Sequence, residues 1–186
     1  MQGFFTPKSI SARFFTSCCC FFLCTLLTIQ LFASSPALIK IPGHEKGFSS
    51  LQSAISSAKA GSLVYIPSGL WNEHVVIDKA LMLMPAEGAV LESLEINAPG
   101  EKVTLLADLK VEGTIELNKG YLNVGAFHVH AGATMGGSPE SYMMMLPPGT
   151  LTITVPPNST ISFPIGTMTD IAPVTVRSTA AHVSDD

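Results

Sequence analysis

The stretch that decides the fold is residues 51–84, LQSAISSAKAGSLVYIPSGLWNEHVVIDKALMLM. Apolar residues at i, i+3, i+4 and i+7 predict one face of a helix, formed by Leu51, Ala54, Ile55 and Ala58. Gly61 stands where a helix C-terminus favours a left-handed residue. Three apolar, β-rich runs follow at 63–66, 75–77 and 81–83. A short helix next to short strands predicts a strand stack whose open end is covered by the helix.

The same segment resembles the beginning of right-handed parallel β-helix proteins of the pectin-lyase-like group. In that group a capping helix precedes the pattern G-[ST]-x-[VI]-x-[IV]-x-x-G-x-[YW]-x-E. The matching residues here are Gly61, Ser62, Val64, Ile66, Gly69, Trp71 and Glu73. The resemblance implies the fold and a structural role for Trp71 in the first coil. It implies no particular reaction, because one fold carries lyases, esterases, epimerases and non-catalytic surface proteins.

A faint internal repeat supports the same fold. The run LEIN at 94–97 recurs as IELN at 115–118. We also align 103–105 with 122–124 and 109–111 with 127–129. A period near twenty accommodates three short strands and their corners, which is one β-helix coil. We therefore predict two to three coils behind the helix.

The pattern of apolar and polar residues changes at Met143. Apolar residues alternate with Thr or Ser in 151–155 and 161–165, which is typical of antiparallel strands with one face in water. Residues 162–167 and 173–176 resemble a segment that follows β-helix coils in large secreted surface proteins of the Bacteroidetes type. That resemblance implies a module longer than the one present, so we expect a truncated relative or a piece of a larger protein.

The N-terminal segment has the organisation of a secretory signal peptide. Basic Lys8 and Arg13 precede an apolar block at 14–32, and the small residues at 33–37 suit cleavage after Ala37. An uncleaved signal anchor is the alternative, since the block borders on a membrane span. All four cysteines lie in this segment, so the exported chain would contain neither a disulfide nor a cysteine metal site. We expect a secreted or outer-cell-surface protein.

We predict an all-β fold for the exported chain. The whole sequence divides into four parts: a signal peptide at 1–37, a lead-in at 38–50, the capping helix and β-helix coils at 51–142, and an incomplete β-sandwich-like module at 143–186.

The charge balance argues against one class of function, nucleic-acid binding. The full chain carries 10 basic and 14 acidic side chains, a net charge of −4. Loss of Lys8 and Arg13 would leave 8 against 14, or −6, without a basic cluster. Nucleic-acid binding is therefore not expected. After the first segment, no second apolar run is long enough to cross a bilayer.

The residues that polysaccharide-cleaving relatives require are scarce. Such enzymes need a base and a charged group that stabilises the developing anion, and pectin-esterase relatives need two aspartates, a glutamine and an arginine. After the signal segment, the chain offers Gln52 alone, on the capping helix, and Arg177 alone, near its end. Neither catalytic set can be assembled, so we predict no catalytic residues, no bound cofactor and no enzyme.

Two weaker candidates for metal binding remain. His128 and His130 would lie on one face of a strand, about 6.6 to 7 Å apart, with Glu116 or Asn118 of a neighbouring coil as a third ligand. The preferred interpretation is an outward-facing histidine pair. Glu95 and Glu116 would stack on successive coils, either solvated or bridged by calcium, and we favour solvation.

The sequence thus favours a non-catalytic secreted or cell-surface β-helix protein that acts in adhesion, as a scaffold or in glycan binding. The alternative is a degenerate or truncated polysaccharide lyase or esterase of the pectin-lyase-like group. A gene fragment without activity of its own is a third hypothesis. The final coil would be open, so we also expect edge-to-edge self-association.

Overall fold

The computed structural model describes residues 38–155, 157–167 and 171–177. The predicted signal peptide lies outside this range. The helix α1 spans Leu51–Ser57, and the strands are β1 (Leu63–Ile66), β2 (Gly69–Ile77), β3 (Leu81–Pro85), β4 (Ala89–Leu105), β5 (Leu109–Gly125), β6 (His128–Gly136), β7 (Met143–Met145), β8 (Thr150–Ile153), β9 (Thr160–Phe163), β10 (Ile165–Gly166) and β11 (Val174–Arg177).

The strands wind into a parallel β-solenoid of about five turns, which confirms the predicted fold class but exceeds the two to three coils expected. The turns together build three parallel sheets. Sheet A stacks 63–66, 81–85, 103–105, 121–125, 143–145 and 165–166. Sheet B stacks 69–71, 89–91, 109–111, 128–131 and 150–153, and sheet C stacks 74–77, 93–96, 114–117 and 133–136.

The register confirms most of the internal repeat. Leu94 lies beside Ile115, and Val103 lies beside Leu122, as the first two alignments of the repeat predict. The third alignment, in sheet B, is wrong, because Leu109 lies beside Val129 and not beside Phe127. Phe127 belongs to the turn before β6, where its amide donates to Val124 O at 3.2 Å.

One continuous aliphatic core runs through the coils. Side chains alternate along each strand, so every second residue points inward. In sheet C, Val75, Leu94 and Ile115 stack directly above one another, and each is 0% exposed. Removal of such a side chain from water is worth about 1.5–3 kcal/mol. Because the described residues contain no cysteine, burial and strand pairing hold this part of the chain together.

The corner glycine Gly120 shows how tightly the coils are packed. It adopts a φ of +82°, and a Cβ built there would collide with the carbonyl oxygen of Ala98 in the preceding coil. Both constraints demand glycine, since the left-handed conformation and the close backbone approach each disfavour a side chain.

The helix seals the first coil with the face that the sequence predicts. Leu51, Ala54, Ile55 and Ala58 are all buried. The helix ends at Ser57, with Ala58 as its C-cap. Gly61 is left-handed, with a φ of +79°, but it lies in the turn that leads into β1. The expectation that Gly61 terminates the helix is therefore wrong.

Glu73 of β2 anchors the start of the helix. Its carboxylate accepts hydrogen bonds from Ser50 Oγ at 2.8 Å, from the Leu51 amide at 3.0 Å and from the Gln52 amide at 3.1 Å. These amides belong to the first helical turn and have no partner within the helix. Burial raises the pKa of Glu73, but the three hydrogen bonds outweigh it and leave the pKa below its ordinary value.

Two more side chains attach the helix to the coil below it. The Gln52 amide pairs with both backbone groups of Val76: its oxygen accepts from Val76 N at 2.8 Å, and its nitrogen donates to Val76 O at 3.2 Å. The Gln52 side chain therefore takes the hydrogen-bonding position of a neighbouring strand at the edge of sheet C next to the helix. We call this capped end of the solenoid its upper end. Lys79 Nζ lies 3.4 Å from Ile55 O and 3.5 Å from Ala58 O, at the C-terminal end of the helix.

The lead-in also closes this end. Ile39 and Ile41 are buried in the same core. The backbone of Ile39 pairs with that of Phe48, and the backbone of Lys40 pairs with that of Tyr65 in an antiparallel bridge.

The region after Met143 corrects part of the sequence prediction. The antiparallel arrangement is confirmed for β9 and β11, whose register pairs Phe163 with Val174 and Thr160 with Arg177. It is wrong for residues 151–153, because β8 pairs in parallel with β6. β7 likewise pairs in parallel with β5, and β10 with β7, so the solenoid continues beyond residue 142.

Candidate functional site

The candidate site is a groove along the outer face of sheet B, at the corner that leads from sheet A. Its volume is about 630 Å³, within the range of small-molecule sites. Polar side chains from successive coils line it together with small apolar ones. The polar contributors are Glu87, Asp108, Lys110, His128, His130 and Thr152.

A column of polar side chains runs along this groove. Lys110, His130 and Thr152 are paired neighbours on β5, β6 and β8, and all three are exposed. Neighbouring strands are about 4.8 Å apart, so three successive coils present a cation, an imidazole and a hydroxyl in a line along the solenoid axis. Coil stacking creates this line, since the three residues are far apart in the sequence.

A second row of polar residues fixes the groove wall. His128 lies beside Thr150, and the His128 Nδ1 to Thr150 Oγ1 distance is 2.7 Å. The His128 amide donates to Asp108 Oδ1 at 2.8 Å. These contacts hold the corner of the groove, while His130 and Lys110 remain exposed beside it.

The three residues considered for a metal site are not brought together. His128 and His130 lie on sheet B, whereas Glu116 lies on sheet C between Glu95 and Met135. Within residues 38–155, 157–167 and 171–177, no group of three or more His, Cys, Asp or Glu side chains is placed to hold a metal ion.

Glu95 and Glu116 do stack on successive coils, as predicted. The Glu95 carboxylate has neighbours of its own: Asn118 Nδ2 donates to its Oε1 at 2.9 Å, and His74 Nε2 lies 3.2 Å from its Oε2. The repeat LEIN/IELN aligns Asn97 with Asn118, but the register shifts at this corner and Asn97 lies beside Lys119.

A hydrogen-bonded chain of side chains on sheet C was not predicted from the sequence. Ser93 Oγ is 2.8 Å from His74 Nδ1, while the other ring nitrogen of His74 faces Glu95. A neutral imidazole that accepts from Ser93 through Nδ1 has its proton on Nε2, which then donates to Glu95. The signal that could have found this chain is the coil period, since Ser93 and Glu95 both follow His74 by about one coil.

The other residues that the sequence singled out, Gln52, Arg177 and Trp71, lie outside the groove of sheet B. Gln52 is bonded to Val76 on the cap, and Arg177 is exposed at the end of β11. Trp71 is partly buried against the core, and its Nε1 donates to Pro67 O at 3.0 Å. In the described part of the chain, no helix has the length and apolar character that crossing a membrane requires.

Comparisons with protein-family models, with curated proteins and with solved structures gave no match for this chain. The class of protein that the fold defines is a parallel β-solenoid with an N-terminal helical cap.

Proposed function

We propose that this chain is a non-catalytic, exported β-solenoid protein that binds glycans along the groove of sheet B, in adhesion or as a surface scaffold. The observation that carries the proposal is the column of Lys110, His130 and Thr152 in an open groove. Export is inferred from the signal-peptide pattern at 1–37. The resemblance of residues 61–73 to pectin-lyase-like proteins, and of 162–176 to Bacteroidetes surface proteins, supports the same proposal.

A linear sugar polymer fits the chemistry of this groove. Its hydroxyl groups both donate and accept hydrogen bonds, and the groove offers donors on Lys110, acceptors on Glu87 and Asp108, and groups of both kinds on His130 and Thr152. The small apolar lining residues allow the flat faces of sugar rings to approach. An open groove whose polar groups follow the solenoid axis suits a chain longer than a single sugar.

Glycan-array binding of the exported protein tests this function. We expect binding to a restricted set of oligosaccharides and at least about tenfold weaker binding for the double variant Lys110→Ala/His130→Ala. Lys102→Ala, which removes an exposed lysine from the sheet A side, is the matched control and should bind as the wild type does. Absence of glycan binding, or an equal loss in the control, would contradict the proposal.

The second candidate function is hydrolysis of an ester, as in a degenerate esterase, and the Ser93–His74–Glu95 chain favours it. The Ser93 hydroxyl would attack the ester carbonyl carbon while its proton moves to His74 Nδ1. The imidazolium would then give that proton to the leaving alkoxide, and water would release the acyl group by the same route. This function stands second because the neighbouring amide of Asn118 already donates to Glu95 and is not free to stabilise an oxyanion.

Labelling with a fluorophosphonate probe separates the two functions. A nucleophilic Ser93 would be labelled in the wild type and not in Ser93→Ala, and Ser68→Ala, at an exposed turn, would keep the label. Turnover of p-nitrophenyl acetate that depends on His74 would establish the esterase. Lack of both signals, together with glycan binding, would exclude it.

A further inference from the structure

A second cavity lies at the upper end of the solenoid, where the lead-in meets the outer face of sheet A. Its volume is about 470 Å³, and it shares no lining residue with the groove of sheet B. The lead-in turn at 42–47 and the strand β1 form its walls. We call it the turn cavity. Its lining side chains include those of Lys40, Pro42, His44, Glu45, Leu63 and Tyr65.

The floor of the turn cavity is an aromatic and an aliphatic side chain. Val64 and Ile66 of β1 are 0% exposed, so the alternation along the strand turns Leu63 and Tyr65 outward. Tyr65 is 37% exposed. It exchanges both backbone hydrogen bonds with Lys40, at 2.9 and 3.2 Å. Directly opposite residues of an antiparallel pair have their side chains on the same face, so the Lys40 side chain lies beside this floor.

The turn that forms the wall of the cavity is held in place by its own contacts. Ile39 and Phe48 exchange two backbone hydrogen bonds of 2.9 Å at its base. Gly43 takes a φ of +87°, which the tight turn requires, and the His44 amide donates to Ile41 O at 3.0 Å. The His44 ring also packs against the Phe48 ring, with their centroids 5.7 Å apart. A wall that is ordered in advance lowers the entropy cost of binding a ligand.

The rim of the turn cavity offers hydrogen-bond donors and acceptors together. Lys40, His44 and Glu45 are all exposed there. The lysine only donates, the carboxylate only accepts, and a neutral imidazole does both. Among the described residues, neither Lys40 nor Glu45 belongs to an ion pair, so both charged groups are available to a ligand.

This combination selects a class of ligand. A phosphate or sulfate would be repelled by the Glu45 carboxylate, and a purely apolar molecule would cover Lys40 and Glu45 without giving them partners. A pyranose ring has an apolar C–H face and a rim of hydroxyl groups that both donate and accept. It therefore matches a cavity with an apolar floor and a mixed polar rim.

We propose that the turn cavity is a second carbohydrate site, which binds the terminal pyranose of a glycan. The C–H face of the sugar lies against Tyr65 and Leu63, and its hydroxyl groups bond to the polar rim. The groove of sheet B follows several coils and suits a stretch of polymer, whereas the turn cavity is confined to the lead-in and one strand and suits a chain end. A protein with both sites joins two glycans, a consequence that rests on the function proposed for the groove.

Saturation-transfer NMR of the exported protein with methyl glycosides of glucose, galactose, mannose and N-acetylglucosamine tests this proposal. We expect transfer to the ring C–H protons of at least one of these glycosides. Tyr65→Ala should weaken that binding at least about tenfold, because it removes the aromatic floor, while Tyr65→Phe should retain it. Lys40→Met, which removes the donors of the rim but keeps an unbranched side chain, should weaken binding in the same direction.

Met84→Ala is the matched control, since Met84 is the strand neighbour of Tyr65, is 41% exposed and does not line the cavity. It should bind as the wild type does, and circular dichroism should show the same strand content in all variants. Absence of transfer to every glycoside, or equal effects of Tyr65→Ala and Met84→Ala, would overturn the proposal.

The groove variant Lys110→Ala/His130→Ala separates the two sites. It should lose glycan-array binding and keep the methyl glycoside. If it loses the methyl glycoside while Tyr65→Ala keeps it, the sugar binds in the groove, and the second site is excluded while the function proposed for the groove stands. If the methyl glycoside binds at Tyr65 and the groove variant changes nothing on the array, the groove proposal fails alone.

Discussion

The two ends of the solenoid differ in how the strand stack is terminated. At the upper end, Glu73, Gln52 and Lys79 attach α1 to the first coil, and the residues that α1 buries are as inaccessible as the middle of the core. At the opposite, lower end, which is formed by the last coil, Leu151 and Ile153 are only partly buried, and the described residues provide no strand beyond β8 in sheet B. A parallel stack always has two edges. A helix closes one of them here, and the described residues place no helix or further strand over the other edge of sheet B.

The largest expected effect contrasts two leucines in the same solenoid. Leu94→Ala, in the middle of sheet C, should lower the free energy of unfolding by about 2–5 kcal/mol, since Leu94 is completely buried and its loss leaves a cavity. Leu151→Ala, in the last coil, should cost only about 1 kcal/mol, because the site is open to water. Urea denaturation measures both values. Equal losses would mean that the lower end is as well packed as the centre.

Loss of the cap anchor should have an intermediate effect. Glu73→Gln removes a charged acceptor from the first turn of α1 and should cost about 1 kcal/mol, as loss of a helix N-cap does. Glu101→Gln, on the exposed outer face of β4, is the control and should change the stability by less than about 0.5 kcal/mol. If both variants have the same stability, Glu73 does not fasten the helix.

The same contact should make the upper end sensitive to acid. The pKa of Glu73 is lowered in the folded state, so the stability that its charge contributes is present above the ordinary pKa of an unfolded glutamate and is lost as the pH falls through the lower, folded pKa. The stability difference between wild type and Glu73→Gln should therefore shrink below about pH 4. A difference that stays constant through strongly acidic pH would contradict this account.

The smallest effect is expected at the other end of the helix. Lys79→Met removes two long contacts with the helix, at 3.4 and 3.5 Å, and an ion pair with Asp78 at 3.5 Å, and should cost no more than about 0.5 kcal/mol. Lys59→Met, at an exposed position after the helix, serves as the control in the same thermal unfolding experiment. A loss as large as that of Glu73→Gln would show that Lys79 carries more of the attachment than its distances indicate.

The upper end was predictable because its signals are local. The i, i+3, i+4, i+7 spacing identifies the buried face of α1 from one short run of consecutive residues. The role of Glu73 could not be seen in this way, since its partners Ser50 and Gln52 lie about one coil earlier and meet it only after the coil closes.

The groove was missed because of one register error. Alignment of Leu109 with Phe127 places Lys110 beside His128, whereas the true register places Lys110 beside His130 and completes the column with Thr152. The two registers differ by one full period of the strand alternation, so both keep the same side chains pointing outward. Hydrophobic alternation therefore cannot distinguish them.

The antiparallel prediction for residues 151–155 failed for a related reason. An outer solenoid strand also has one face in the core and one face in water, so its sequence alternates as an antiparallel strand does. Thr150 and Thr152 are exposed and Leu151 and Ile153 face inward, while β8 pairs in parallel with β6. The alternation of apolar and polar residues therefore shows which face of a strand contacts water. It does not show whether the strand pairs in parallel or antiparallel, which depends on how the chain winds into coils.

Hydrogen exchange of the backbone amides, followed strand by strand, tests the difference between the two ends most directly. We expect the slowest exchange in the sheet C segments of β4 and β5, strong protection of the Val76 amide beneath the Gln52 cap, and clearly faster exchange in β8 and β11. Equal protection at both ends, or faster exchange at the capped end, would contradict the account.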